Sequence, residues 1–121
     1  METPLEVDFE SLEPSSMLVE AIRREVRSLE RLARVIACHV VVREPHRRQR
    51  SGRQFEVRIH LTLPGGEIAV TRGARDGRRE DAYRAVRDAF VQLRGQMRKF
   101  VSVRRGDVKA HSRPAGIQSA A

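Results

Sequence analysis

Two stretches of alternating apolar and polar residues meet at a Pro-Gly-Gly sequence in the middle of the chain. Apolar side chains occupy every second position from Phe55 to Leu63, and again at Ile68 and Val70. Alternation with a period of two is typical of a strand with one buried face. Because glycine adopts the positive φ that a tight reversal needs, Pro64-Gly65-Gly66 predicts a turn between the two strands.

The remaining segments predict two further strands and two helices. Residues 4–9 and 38–43 alternate in the same way, which predicts a strand in each. Apolar residues spaced three and four apart predict helices over residues 17–35 and 80–103. The predicted order is β-α-β-β-β-α, an α+β fold. Only one side of each strand is strongly apolar, so we expect a four-stranded sheet with two long helices on one face.

Both helix starts carry recognisable signals. Ser15 is the predicted N-cap of the first helix, since its hydroxyl can accept a hydrogen bond from a free backbone N–H. Glu80 and Asp81 lie at the start of the second helix, where the helix dipole favours acids. The sequence therefore predicts where each helix begins.

The length and composition of the chain limit its organisation. At 121 residues it has room for one domain, which we expect to span residues 1–103, with residues 104–121 as a basic, disordered tail. Cys38 is the only cysteine, which excludes a disulfide framework, and its inward position predicts a small core residue. The longest nearly apolar run has eight residues, too few to cross a membrane. The first 20 residues contain six acids and no Lys or Arg, unlike a signal peptide, so we expect a cytoplasmic protein.

The chain is strongly basic, and its charge is unevenly distributed. Lys and Arg total 24 against 16 Asp and Glu, which gives a formal net charge of +8, and all but two of the bases are arginine. Residues 1–30 carry a net charge of −5 and residues 31–121 one of +13. Guanidinium groups suit phosphate oxygens, and the aromatic content of 4% argues against single-strand binding by base stacking. Phosphate contact with structured nucleic acid fits this balance, and a solubilising surface is the alternative.

Arginines recur at helical spacing on both predicted helices and in the loop between the second and third strands. Residues three or four apart form a ridge on each helix, and two ridges side by side predict a surface for a nucleic-acid backbone. A solvated helix face, or a solvated hairpin tip for the loop, is the alternative. The candidate RNA-binding residues are Arg23, Arg24, Arg27, Arg31, Arg34, Arg47, Arg48, Arg50, Arg84, Arg87, Arg94, Arg98 and Lys99.

Acidic residues at helical spacing are expected to offset part of this charge. Arg94 and Arg98 have no acid three or four residues away, and both are expected to be exposed. The pairs within reach of each other are Glu20 with Arg24, Glu30 with Arg34, and Asp88 with Arg84.

Motifs for catalysis and metal binding are not found in the sequence. It contains no Gly-x-Ser-x-Gly, P-loop or His-Glu-x-x-His motif. His39 and His60 are expected on the open face of the sheet, but two histidines without a third ligand do not define a metal site. The sequence predicts a protein that is not an enzyme, with no cofactor, no metal and no small-molecule substrate.

Three segments of the sequence resemble one known family. Together and in this order, they resemble the ribosome hibernation-promoting factor and ribosome-associated translation inhibitor family, also called ribosomal subunit interface proteins. The resemblance covers about residues 3–111 and implies the β-α-β-β-β-α fold, which is similar to double-stranded-RNA-binding domains. The segments are Leu63-Pro64-Gly65-Gly66-Glu67-Ile68, the Glu80-Asp81-x-Tyr83-x-Ala85-Val86 start of the second helix, and Leu29-Glu30-Arg31 followed by a valine-rich strand.

The resemblance implies a function in ribosome hibernation. Members of the family bind the small ribosomal subunit at the subunit interface and block mRNA and tRNA during stress or stationary phase. Their basic side chains on both helices contact ribosomal RNA, and Arg31 and Lys99 stand where the family commonly has a base. The residues that depart from this pattern, where other members often carry Lys or Arg, are Glu25, Ser28, Gln92 and Gly95.

The resemblance also indicates the short form of the family. The long form has a second, C-terminal domain that pairs ribosomes, which a chain of 121 residues is too short to contain, and we expect a monomer. Two alternatives remain open. One is a general module for structured RNA without ribosome specificity, and the other is a protein-interaction regulator with an acidic partner, since family members were once described as modulators of a sigma factor.

Overall fold

The computed structural model describes residues 3–45, 54–74 and 81–111, with side chains as far as Arg104 in the last range. The predicted sites Arg47, Arg48, Arg50 and Glu80, and the predicted tail from residue 112 onward, lie outside the described residues. The order of elements confirms the predicted β-α-β-β-β-α fold. In chain order they are β1 (Leu5–Glu10), α1 (Ser16–Leu29), β2 (Ala37–Arg43), β3 (Glu56–Leu63), β4 (Gly66–Arg72) and α2 (Ala82–His111).

The four strands form one mixed sheet in the order β1-β2-β3-β4. β1 and β2 are parallel because α1 returns the chain to the same end of the sheet, whereas β2, β3 and β4 pair antiparallel. Gly65 in the β3–β4 turn has a φ of +90°, as expected for a Pro-Gly-Gly turn. The side chains of each strand alternate between a face that points to the helices and an open face.

Both helices pack on one face of the sheet, as predicted. The inward side chains of β1 are only half buried, whereas the inward side chains of β2, β3 and β4 are buried. Cys38 is 3% exposed in this core, and burial raises the pKa of its thiol to about 12, which makes it a packing residue rather than a nucleophile. The helices contribute Leu18, Ile22, Val26, Leu29, Ala85, Val86, Ala89, Phe90, Leu93 and Met97 to the core.

Side-chain oxygens cap the start of each helix. The Leu18 N–H donates to the Ser15 hydroxyl at 3.1 Å, which confirms the predicted N-cap of α1. The Arg84 N–H donates to Asp81 Oδ1 at 2.8 Å, so this acid binds a free backbone N–H of α2 directly. These caps fix the first turn of both helices, and both helices carry residues of the candidate site.

α1 ends at Leu29, six residues before its predicted end at Val35. The chain continues through one tighter turn, in which the Leu32 N–H donates to the Leu29 carbonyl at 2.9 Å. It then becomes extended, and the Ile36 N–H donates to the Thr62 carbonyl of β3 at 2.8 Å. The β-branched pair Val35 and Ile36 favours this extended conformation, which apolar spacing alone did not reveal.

α2 continues to His111, eight residues beyond its predicted end at Val103, so residues 104–111 are not part of a disordered tail. The prediction was wrong because apolar periodicity marks the buried part of a helix, and a helix that has begun can extend past its packed part. Gly106 alone does not stop it, and the next proline is Pro114. Neither the 30 residues of α2 nor the other described helix provides a segment apolar enough to span a membrane.

Arg72 on β4 is a charged residue in the core, 4% exposed. Its guanidinium group donates to Asp88 Oδ2 of α2 at 2.9 Å and to the Phe55 carbonyl at 3.1 Å. The predicted pairing of Asp88 with Arg84 is therefore not observed. A buried guanidinium group needs a charged partner more than an exposed one does, so Asp88 joins α2 to β4 instead.

Replacing Asp88 by Asn should lower the free energy of unfolding by about 3 kcal/mol, because the buried guanidinium group of Arg72 loses the carboxylate charge that lies 2.9 Å away. Urea denaturation followed by circular dichroism measures this change. The matched control is Glu20→Gln, which removes the exposed ion pair of Glu20 with Arg23 (3.5 Å) and should cost less than about 1 kcal/mol. Equal losses in the two variants would contradict the structural role of Asp88.

Candidate nucleic-acid interface

The basic residues of the two helices lie on the outward side of α1 and α2, here called the helix face. Each helix buries one stripe toward the sheet, so the residues opposite that stripe point to solvent. α1 and α2 also contact each other, which places their outward sides next to one another. Among the candidate RNA-binding residues, Arg23 and Arg94 are half buried, and those that are exposed are Arg24, Arg27, Arg31, Arg34, Arg84, Arg87, Arg98 and Lys99.

Arg94 bridges the two helices. Its side chain is 23% exposed and donates to the Glu25 carboxylate and, at 3.0 Å, to the Ser28 hydroxyl of α1. The prediction of an exposed Arg94 is wrong, because its acidic partner comes from the other helix and is invisible to spacing along α2. Glu25 and Ser28, for which the resemblance implied a departure from the basic pattern of the family, hold Arg94 here.

Four exposed arginines occupy neighbouring positions, on the two helices and in the turn after α1. Arg24 lies four residues before Ser28 on the same side of α1, and Arg31 lies in the turn that follows the helix, three residues after Ser28. Arg98 lies one turn after Arg94, and Arg87 lies two turns before it. In the described part of the chain, none of these four has a carboxylate within ion-pair distance. The central arginine patch is defined as Arg24, Arg31, Arg87 and Arg98.

Arg23 and Arg27 lie toward β1, at the edge of the helix face. Both line a small cavity beside the start of β1, and Arg23 pairs with Glu20 at 3.5 Å. Glu20 was expected to reach Arg24, four residues on, but its partner is Arg23. Glu20 therefore does not neutralise Arg24, which belongs to the central arginine patch.

Arg34 and Lys99 lie at other margins of the helix face. Glu30, the expected partner of Arg34, instead accepts a hydrogen bond from Thr3. Arg34 follows the end of α1 and is exposed. It lines the same groove as Phe100 and Arg104 of α2. Lys99 lies three helical turns after Asp88, hence on the side of α2 that points to β4. Arg34 and Lys99, which helical spacing grouped with the other bases, thus lie apart from them in the structure.

The open face of the sheet has the opposite charge. Within the described ranges it presents five carboxylates and two guanidinium groups. One guanidinium group, that of Arg43, pairs with two of these carboxylates, at 3.2 Å and 4.0 Å. The molecule therefore has a basic helix face and an acidic open face. The charged residues of the open face are Glu6, Asp8, Glu10, Glu56, Glu67, Arg43 and Arg58.

His39 and His60 are opposite each other in the register of β2 and β3 and lie on the open face, as predicted. His39 Nε2 lies 2.7 Å from Asp8 Oδ2, and His60 Nε2 lies 2.5 Å from Glu67 Oε1. Glu6, Asp8 and His39 each bring one oxygen or nitrogen atom to within 4.8 Å of the others. Sequence spacing missed this cluster because β1 and β2 are distant in the chain. Two of its three side chains, Asp8 and His39, already pair with each other, so the geometry alone assigns no metal.

Comparison with known proteins agrees with this architecture. Residues 5–105 match the family described as Sigma 54 modulation protein / S30EA ribosomal protein. The N-terminal domain of Protein Y from Thermus thermophilus has a similar structure, with a TM-score of 0.64 and 20% identity over 83% of this chain and 99% of that one. A ribosomal subunit interface protein from Coxiella burnetii gives a TM-score of 0.65 and 16% identity over the same shares, 83% and 99%. At such identities the likeness shows the fold alone, and no curated protein matches significantly in sequence.

Proposed function

The chain belongs to the Sigma 54 modulation protein / S30EA ribosomal protein family, and on this basis we propose that it binds the small ribosomal subunit at the subunit interface. Its helix face contacts ribosomal RNA, covers the mRNA and tRNA sites and inhibits translation during stress or stationary phase. The family comprises ribosome-associated inhibitors that are not enzymes, so the proposal requires binding alone. The name of the Coxiella burnetii protein, a ribosomal subunit interface protein, supports this location. The protein then acts in the cytoplasm.

The central arginine patch is the observation that carries this proposal. Four like charges gathered around one bridge repel each other unless an anion lies between them. Phosphate oxygens bind guanidinium groups in pairs, with a geometry that a point charge does not offer. Arg94 holds the two helices together with its bonds to Glu25 and Ser28, so guanidinium groups of both helices can contact one RNA backbone. The bridge thus organises the patch, and the four exposed arginines bind the phosphates.

Inhibition by this protein requires occupancy of a site and no reaction. A folded domain of 121 residues has a radius of gyration of about 14 Å, enough to fill a path through which tRNA passes. Because mRNA and tRNA need the same space, their binding and that of the protein should exclude each other. Inhibition is therefore competitive, and it lasts as long as the protein stays bound.

Sucrose-gradient sedimentation of the purified protein with separated ribosomal subunits tests the proposal. We expect the protein to sediment with small subunits and to be released by excess initiator tRNA with mRNA, because they compete for one site. Large subunits are the matched control, since their RNA offers a similar density of phosphate charge. Equal binding to both subunits would contradict the proposal and indicate a general module for structured RNA. Complexes that survive complete digestion of the RNA would indicate a protein partner instead.

A further inference from the structure

A groove next to the Pro-Gly-Gly turn is not explained by phosphate binding. Its volume is about 330 Å³, at the lower end of the range of small-molecule sites, about 300–1,000 Å³. It lies where the segment after α1, the β3–β4 turn and α2 come together. Most of its lining is apolar, but two exposed arginines flank it. The residues that matter here are Ala33, Leu63, Pro64 and Phe100 in the walls and Arg34 and Arg104 at the mouth.

We propose that this groove binds one unpaired nucleotide of the RNA that the helix face contacts. The base lies against the side chains of Phe100 and Arg104, and its phosphate binds Arg34. The inference rests on the proposed function and adds to it a class of ligand. It predicts that the protein distinguishes RNA with an extruded base from a continuous duplex, which a purely phosphate-binding surface cannot do.

The glycine turn shapes the side of the groove that would hold the base. Arg104 Cζ lies 5.7 Å from the centre of the Phe100 ring, a cation–π distance. A Cβ atom on Gly65 would overlap the Arg104 guanidinium group, and one on Gly66 would lie 2.8 Å from Phe100 Cε1. The two glycines thus let the ring and the guanidinium group approach the turn. The Pro64-Gly65-Gly66 motif therefore has a second role beside reversing the chain.

The chemistry of the groove fits a ligand that is both flat and negatively charged. Bases stack on aromatic rings and on guanidinium planes, and Phe100 and Arg104 provide one of each. Among the described residues, neither Arg34 nor Arg104 has a carboxylate within ion-pair distance, so an anion is needed to neutralise them. An acidic peptide would also offer apolar and anionic groups. RNA is favoured because Arg34 lies three residues after Arg31, so the groove adjoins the central arginine patch.

Fluorescence anisotropy with two labelled RNA hairpins tests the inference. One hairpin has a single bulged purine in its stem, and the other is the same hairpin without it. The full chain should bind the bulged hairpin about 5- to 150-fold more tightly, the range expected from stacking of one base. Arg104→Glu should remove this preference. The matched control Arg98→Glu, on the central arginine patch, should weaken binding of both hairpins equally and keep the preference.

A second variant separates stacking from folding. Phe100→Leu keeps an apolar side chain in the wall but removes the aromatic face, so it should reduce the preference while the thermal unfolding curve stays that of a folded domain. Equal affinity of the unaltered chain for both hairpins would overturn the inference, and so would a preference unchanged in Arg104→Glu. Competition by an acidic peptide, with no preference between the hairpins, would assign the groove to a protein. Sedimentation with small subunits tests the proposed function separately, and either proposal can fail alone.

Discussion

Replacing all four arginines of the central arginine patch by Glu should reduce the affinity for the small ribosomal subunit on the order of 10⁴-fold. Each lost charge-assisted contact is worth roughly a factor of ten. The variant lowers the formal net charge from +8 to zero and should still fold, because all four side chains are exposed. Sedimentation with small subunits measures the loss of binding, and circular dichroism shows that the helices remain. A folded variant that binds as tightly as the original chain would refute the role of the patch. The residues changed are Arg24, Arg31, Arg87 and Arg98.

Net charge alone could lower affinity for any polyanion, so a single-residue comparison is needed. Arg98→Glu and Arg58→Glu change the net charge equally, and both residues are exposed. Arg98 belongs to the central arginine patch, whereas Arg58 lies on the open face of the sheet. Only Arg98→Glu should weaken binding by about tenfold and lower the salt dependence by about one phosphate contact. Similar losses from the two substitutions would mean that overall charge, not the helix face, determines binding.

Raising the monovalent salt concentration from 50 to 200 mM should weaken binding of the unaltered chain by about 10³–10⁵-fold, the range for 6–10 phosphate contacts. The helix face has eight exposed bases, which is consistent with that number of contacts. Salt acts because bound arginines release the counterions of the RNA, and release becomes less favourable as salt rises. Equilibrium binding measured across this range gives the slope. A flat response would exclude phosphate-driven binding and favour a protein partner.

The sequence was sufficient to predict the fold because buried residues recur with the period of the strand or helix that contains them. The alternation from Phe55 to Leu63 and the Pro-Gly-Gly turn predicted the β3–β4 hairpin, and the inward residues of α1 and α2 predicted their shared face. Helix ends were less well predicted, since they depend on interactions other than burial. α1 stops at Leu29 and is followed by one tighter turn before Ile36 pairs with β3, and α2 continues to His111 although the apolar pattern stops earlier.

The candidate site was predicted less completely than the fold, because ion pairs form between elements that are far apart in the chain. Helical spacing predicted Asp88 with Arg84, but Arg72 of β4 is its partner. Nothing in the spacing along α2 connects Arg94 to Glu25, which lies 69 residues earlier. The groove was missed for the same reason, since it requires the turn after β3 to meet Phe100 and Arg104 of α2. Composition indicated phosphate binding by arginine, but only the fold selects the arginines that lie together.

Among the residues that the structure describes, the separation of charge between the two faces gives an electric dipole across the sheet. Carboxylates outnumber guanidinium groups on the open face, whereas arginines dominate the helix face. The electric field of a polyanion rotates a dipolar molecule before contact. We therefore expect most encounters with RNA to begin with the helix face turned toward the RNA. Such alignment raises the association rate at low salt more than it raises affinity. Docking in the proposed mode would leave the carboxylates of the sheet on the outer surface. We then expect an approaching nucleic acid to meet a negative potential at the proposed ribosomal site, which was accessible before.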